Sequence, residues 1–358
     1  CVAMLFGSHP LLSYAIVGLG AAAYSPAKYG ILTELLPPEK LVAANGWIEG
    51  LTVGSIILGT VLGGVLISTT VSQSLLALDM PTFETGIDTP AESAIMIIMM
   101  IYVVAALINL KIPDTGARYV SQKTNPIELV KDFAICFKTL WNDRLGQISL
   151  AVTTLFWGAG ATLQFIVIKW AQVALHMNLS QGAILQAISA VGVAGGAVYA
   201  AWRIPLRKSL NVLPYGIAMG LVVCVMAVYN SDLLPNTSIF SFGKFDVTLN
   251  LLPAYMLLVL VGWLAGYFVV PMNALLQHRG HVLMSAGHSI AVQNFNENIS
   301  VLMMLLIYSL LIWLDVPIQI VIVGFGVAVS LIMWLVIKRH ARNQAEYDSM
   351  HLIGEHKH

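Results

Sequence analysis

The sequence predicts an all-α polytopic membrane protein, and three observations carry that prediction: composition, hydropathy and the placement of basic residues. Of 358 residues, 58% are hydrophobic and 10% are charged, against about 25% charged in a soluble globular protein. Nine stretches hold the roughly 20 apolar residues that a bilayer-crossing helix needs. They fall at 11–32, 47–70, 93–112, 146–170, 182–203, 210–229, 251–276, 287–313 and 317–337. Inside the hydrocarbon each backbone N–H and C=O must be satisfied within the protein, which leaves helices or closed barrels. Barrel strands would be half as long and would alternate polar with apolar residues, and these do not. All but Lys169 and Lys244 of the eighteen lysines and arginines lie on alternate connections or on the C-terminal tail. The positive-inside rule therefore puts the 113–145 connection and the C-terminus in the cytoplasm. The segment from Val71 to Pro90 carries Asp79, Glu84 and Asp88 and no base, as an outer connection should.

Composition also excludes functions. Eighteen bases against eighteen acids leave no basic surface for nucleic acid. Cys1, Cys136 and Cys224 have neither pairing nor ligand spacing, so no disulfide framework and no metal site are expected. No phosphate-binding Gly-x4-Gly-Lys-Ser/Thr loop, no Gly-x-Ser-x-Gly elbow and no His-Glu-x-x-His occurs. Neither ATP-driven pumping within this chain, nor enzymatic chemistry, nor a cofactor is expected.

Residues 1–6 read as the stub of a further span, stopped by Gly7-Ser8-His9-Pro10, and the chain begins without Met inside an apolar run. The 113–145 connection separates three full spans from six. Its Ile127, Val130, Phe133, Ile135 and Phe137, mixed with Lys131, Asp132 and Lys138, predict an amphipathic helix on the inner leaflet surface. A symmetric first half would also hold six spans, so the chain reads as six plus six lacking the first two spans and most of the third. The expected organisation is the remainder of an N-terminal helix bundle (1–112), a cytoplasmic inter-bundle loop (113–145), a six-helix bundle (146–340) and a cytoplasmic tail (341–358).

A parallel repeat supports that plan. Ala23-Tyr24-Ser25-Pro26-Ala27-Lys28 in the first full span matches Phe268-Val269-Val270-Pro271-Met272-Asn273, so that Pro26 falls on Pro271 and Lys28 on Asn273. Each is followed by a short connection and a helix start carrying an acid, Asn45-Gly46-Trp47-Ile48-Glu49 and Gln293-Asn294-Phe295-Asn296-Glu297. The second interval is three residues longer, a difference expected in the connection.

A charge inside a span costs several kcal/mol unless it is paired or wet, so each one is a candidate site. Lys28 reads as a cation for an anionic head group or for Glu49, with a snorkelling lysine as the alternative. Glu49 reads as its counter-ion or as a gate. Glu297 stands in a knot of amides with Gln293, Asn294 and Asn296. Such a knot suits a zwitterionic or hydroxylated substrate group, or interhelical hydrogen bonding. Gln164 is polar in mid-span and is expected to face a cavity; Asn273 completes the candidate set. His281 and His288 flank a turn and read as surface residues, and His351, His356 and His358 as part of a solvated tail. Glycines at 46, 50, 54, 59 and 63, at 192 and 196, and at 262 and 266 predict faces of close helix approach. Trp170 and Trp313, then Trp202 and Trp334, read as interfacial belts.

Residues 18–32, Gly-Leu-Gly-Ala-Ala-Ala-Tyr-Ser-Pro-Ala-Lys-Tyr-Gly-Ile-Leu, resemble a signature of the bacterial lysophospholipid transporters, a branch of the major facilitator superfamily. Phe156-Trp157-Gly158-Ala159-Gly160 resembles that family's seventh span. Residues 268–277, and Ala291-Val292-Gln293-Asn294 with Glu297, resemble its tenth and eleventh. The similarity runs from about residue 10 to 340. It implies the major facilitator fold and a place in the bacterial inner membrane. It also implies movement of lysophosphatidylethanolamine and lysophosphatidylglycerol from the outer to the inner leaflet, for re-acylation by an acyltransferase–acyl carrier protein synthetase. Lys28 and Glu297 become substrate contacts or gate residues. The family carries an Arg where this chain has Gln164, so a charge contact there is not carried over. The alternatives are a drug or small-solute efflux transporter of the same superfamily and a non-transporting membrane scaffold.

Overall fold

The structure is a computed structural model, and it describes residues 1–5, 7–67, 71, 73–74, 89–116, 118, 125–177, 179–242 and 245–354. The expectations for Asp79, Glu84, Asp88, Lys244, His356 and His358 lie outside them. The described chain is helical, in the order α1 (Val2–Leu5), α2 (Pro10–Leu35), α3 (Leu41–Ile67), α4 (Pro90–Asn109), α5 (Pro126–Asn142), α6 (Gly146–Ala174), α7 (Leu179–Arg203), α8 (Leu213–Met226), α9 (Leu252–Leu283), α10 (Ala286–Trp313) and α11 (Ile318–Glu346). Over its described residues each of the nine apolar stretches coincides with a helix, the sixth with a 3-10 turn at Leu206–Val212 before α8. Seven of the long helices, from α4 onward and without α5, are long and apolar enough to cross a membrane.

Local chemistry sets several starts. Thr89 caps α4 in a reciprocal box with Glu92, and Pro90 at the first turn has no N–H to leave unpaired. Asn125 caps α5 by accepting from the Ile127 N–H. Ser285 accepts from the His288 N–H at the start of α10, and the His288 ring closes the cap at 2.5 Å from the Ser285 hydroxyl. His288 is thus bound into a helix cap.

The chain falls into two compact units. Residues 1–27 with 54–120 form one, and residues 28–53 with 121–358 form the other. The second unit is built around α9, which packs most extensively on α7 and also on α6 and α8; α11 packs on α8, and α10 on α6. The α7–α9 contact is backbone on backbone. A Cβ at Gly196 would stand 2.0 Å from the Trp263 carbonyl oxygen, and one at Gly266 would stand 2.1 Å from that of Val193. These glycines bear out the predicted close approach. On α3 the stripe is used only in part: Gly46 and Gly50 meet α7, while Gly54, Gly59 and Gly63 meet nothing among the described residues.

Two further expectations are corrected, and one element is new. Trp170 belongs to no interfacial belt: it is fully buried, whereas Trp202 and Trp313 are each 77% exposed. The tail is not free in solvent up to Gly354. Ser349 and Ile353 are buried, the Gly354 N–H donates to His278 Nε2 at 3.0 Å, and Arg279 donates to the Leu352 carbonyl at 3.3 Å. The connection between α8 and α9 carries an antiparallel hairpin, Ser238–Phe242 with Phe245–Thr248.

Candidate functional site

Pro26 and Pro271 both lie inside their helices, α2 and α9, where each removes one backbone donor. The predicted repeat positions therefore sit on like elements. The three extra residues of the second interval are not in its connection. Only Met284 and Ser285 join α9 to α10, against residues 36–40 between α2 and α3, and the helices around them are longer instead.

In the second unit the residues after Pro26 face those around Glu49. Lys28 donates to Thr52 Oγ1 at 3.4 Å, its ammonium lies 4.9 Å from the Tyr29 ring centre, and it is an electrostatic partner of Glu49. Glu49 is buried, at 6% exposure. Tyr29 is its polar neighbour, and its Oε1 has no hydrogen-bond partner among the described residues. A buried carboxyl oxygen left without a partner is costly.

The second pair is held differently. Gln293 donates from Nε2 to Glu297 Oε1 at 2.7 Å and to Asn273 Oδ1 at 3.1 Å. All three side chains are buried. Glu297 is thus held by an amide, where Glu49 has an ammonium and a phenol.

The other predicted residues divide. Asn296 is bound into the scaffold: it donates to the Val292 carbonyl at 2.8 Å and accepts from Trp141 Nε1 at 3.3 Å. Asn294 is half-buried, with Asn298 donating to its carbonyl at 2.7 Å. Gln164 is exposed on α6. Its backbone carbonyl accepts from Gln186 at 2.7 Å, and its side chain makes no hydrogen bond with the others among the described residues.

One pair escaped the sequence reading. Asn45 and Gln277 exchange two hydrogen bonds, Asn45 Nδ2 to Gln277 Oε1 at 2.8 Å and Gln277 Nε2 to Asn45 Oδ1 at 2.9 Å, both side chains buried. They join α3 to α9 across 232 residues. The repeat held a signal for Asn45, which precedes Glu49 by four residues as Gln293 precedes Glu297. Beside it, Gly46 lets α3 close on α7, where a Cβ would stand 2.3 Å from that of Ala201.

Away from this site the basic end of the second unit is tied together. Arg279 forms a buried ion pair with Asp143 at 2.7 Å, while Asp143 accepts from the N–H groups of Leu145 and Gly146 at the start of α6. Among the described residues no group of three or more His, Cys, Asp or Glu is arranged to hold a metal.

Comparison with known proteins places the chain. The Major Facilitator Superfamily profile matches residues 1–295. The lysophospholipid transporter LplT of Escherichia coli O1:K1 / APEC is 38% identical over 94% of this chain and 76% of its own length. That of Shigella boydii serotype 4 (strain Sb227) matches to the same extent. A solved bacterial homologue of the iron transporter ferroportin, in an outward-facing state, shares the fold at 13% identity. It has a TM-score of 0.58 and covers 92% of this chain and 72% of the other. Long apolar helices, proline-bearing repeat elements and a profile spanning most of the sequence converge, and the chain belongs to the major facilitator superfamily and, within it, to the lysophospholipid transporter family.

Proposed function

We propose that this chain moves lysophospholipids, lysophosphatidylethanolamine and lysophosphatidylglycerol foremost, from the outer to the inner leaflet of a bacterial inner membrane, with its C-terminus in the cytoplasm. An acyltransferase–acyl carrier protein synthetase then re-acylates them. The observation that carries the reading is the 38% identity to lysophospholipid transporters over 94% of the chain. The site agrees with it on physical grounds. A lysophospholipid has one acyl chain and one polar head, so its path needs apolar walls and a few well-placed polar groups, whereas a sugar needs many hydrogen-bonding partners. Lys28 suits the head-group phosphate as a point charge, and the Asn273–Gln293 amides suit the glycerol hydroxyl. Glu49 and Glu297 suit an ammonium, or alternate with the substrate as gate groups. Transfer between leaflets breaks no covalent bond, so the reading asks for no catalytic residue.

The test is saturable uptake of labelled lysophosphatidylethanolamine by the full-length protein in proteoliposomes. Lys28→Ala and Glu297→Ala are expected to reduce the rate at least about tenfold, equivalent to ~1.4 kcal/mol of transition-state stabilisation. Exposed Lys111→Ala should leave it unchanged. A folded protein giving no uptake above empty vesicles would overturn the assignment.

A further inference from the structure

Helix α5 has two faces of different character. On one, Phe133 and Phe137 pack edge-on against Phe295 of α10 at 5.2 and 6.2 Å, and Trp141 donates to Asn296. Leu140 on the same side is fully buried, in a cluster with Leu150, Leu276 and Val292. This face fastens the helix to α6, α9 and α10. An adjoining face carries Ile127 and Ile135 at 66% and 64% exposure, with Lys131 and Lys138 exposed beside them, and Val130, 68% exposed, stands at its border, on the stripe of Phe133 and Phe137 but one turn short of them. Spacings of three and four residues place Ile127, Lys131, Ile135 and Lys138 along one side. Glu128 and Asp132 stand on the flank and are half-buried.

We infer that this outward face of α5 docks on an anionic lipid bilayer, in the head-group region of one leaflet. Three branched aliphatic side chains in water, on a helix already fixed by its other face, leave apolar surface to be covered. The helix ends at Asn142 and the bilayer-crossing α6 begins at Gly146, so the face lies beside the membrane boundary. Two lysines among apolar residues are the pattern of an in-plane membrane helix, the aliphatic part sinking below the head groups and the ammonium reaching the phosphates. Phe295 and Asn296, which α5 touches, adjoin Glu297, so a helix held in the lipid surface would bear directly on the polar site. That this leaflet receives the substrate rests on the transport reading above; the lipid contact itself does not.

The test uses the whole chain in lipid nanodiscs, its native cysteines replaced, with an environment-sensitive label on Val130→Cys and, as a water-exposed control, on Asp348→Cys. The label at 130 is expected to be quenched by brominated lipid and shielded from iodide. Both effects should grow at least about twofold when phosphatidylglycerol replaces part of the phosphatidylethanolamine, and Lys131→Gln with Lys138→Gln should remove that increment. Thermal melts of each variant verify folding. Iodide quenching at 130 equal to that at 348, or shielding indifferent to phosphatidylglycerol, would overturn the inference. Shielding that arises only when a soluble protein is added would overturn it in favour of a protein partner. Lysophosphatidylethanolamine uptake on the same preparations separates the two readings. Uptake without lipid contact at 130 sinks this one alone, and contact without uptake sinks transport alone.

Discussion

Two residues beyond its internal proline, α2 presents Lys28 and α9 presents Asn273, and four residues before its acid α3 carries Asn45 where α10 carries Gln293. From these like positions the two helix pairs make opposite uses. In the first pair Lys28 turns to the acid on the neighbouring helix, and Asn45 reaches across to Gln277 on α9. In the second pair the amide at the Asn45 position stays at home, bonding both Asn273 and Glu297. One half balances a buried acid with a cation and lends its amide to the other half, while the other balances its acid with amides alone. A repeated scaffold therefore fixes where polar groups stand, and single residue choices decide whether they bind locally or reach another helix pair.

The sharpest way to break that contrast is to neutralise one charged group in each pair. Lys28→Gln leaves Glu49 buried without its cation. Lys28 attracts Glu49 without an ion-pair contact among the described residues, so the expected loss lies below that of a broken buried ion pair, at about 1–3 kcal/mol, the cost of a buried polar group left uncompensated. Lys28→Gln together with Glu49→Gln should recover most of it. In the second pair Glu297→Gln should be nearly neutral for stability, since a neutral amide still accepts from Gln293, while uptake falls. Thermal unfolding of the purified protein, read beside transport, checks both arms. Equal destabilisation by Lys28→Gln and Glu297→Gln would show that the two acids are balanced alike.

This contrast was only half legible in the sequence. Helix positions were, because twenty apolar residues in a row leave little choice of structure. So was the nearness of Lys28 to Glu49, because they stand on consecutive helices at offsets the repeat reproduces. The Asn45–Gln277 bridge was not: a contact over 232 residues depends on helix packing, which composition does not encode. Trp170 shows the same limit from another side. A tryptophan near the end of a span reads as a belt residue until a neighbouring helix covers it, and here it is fully buried. The hairpin at Ser238–Phe242 and Phe245–Thr248 lies in a connection between spans, where hydropathy assigns no element.

The bridge itself gives a prediction of intermediate size. Asn45→Leu strands the Gln277 amide in a buried site, and an unsatisfied buried polar group costs about 1–3 kcal/mol. Gln277→Leu should do the same to Asn45. Replacing both removes the stranded group, so the double variant is expected to be more stable than either single one. A double-mutant cycle on unfolding measures the coupling. Additive losses would mean that the two reciprocal bonds contribute nothing as a pair.

The smallest effect separates the two ends of one helix. At Gly46 a methyl group would stand 2.3 Å from the Cβ of Ala201 and 3.0 Å from the Ala197 carbonyl oxygen, so Gly46→Ala must push α3 away from α7. Overpacking of that kind costs about 1–3 kcal/mol, and a shift there also strains the adjacent Asn45–Gln277 bridge. Two turns along, Gly54 meets nothing within 4 Å among the described residues. Gly54→Ala only exchanges a poor helix former for the best one, a gain of up to about 1 kcal/mol. The two substitutions are chemically identical and lie on one helix, so opposite signs in thermal unfolding isolate the packing contribution from the propensity contribution. A loss at both positions would mean that Gly54 also lies against a partner.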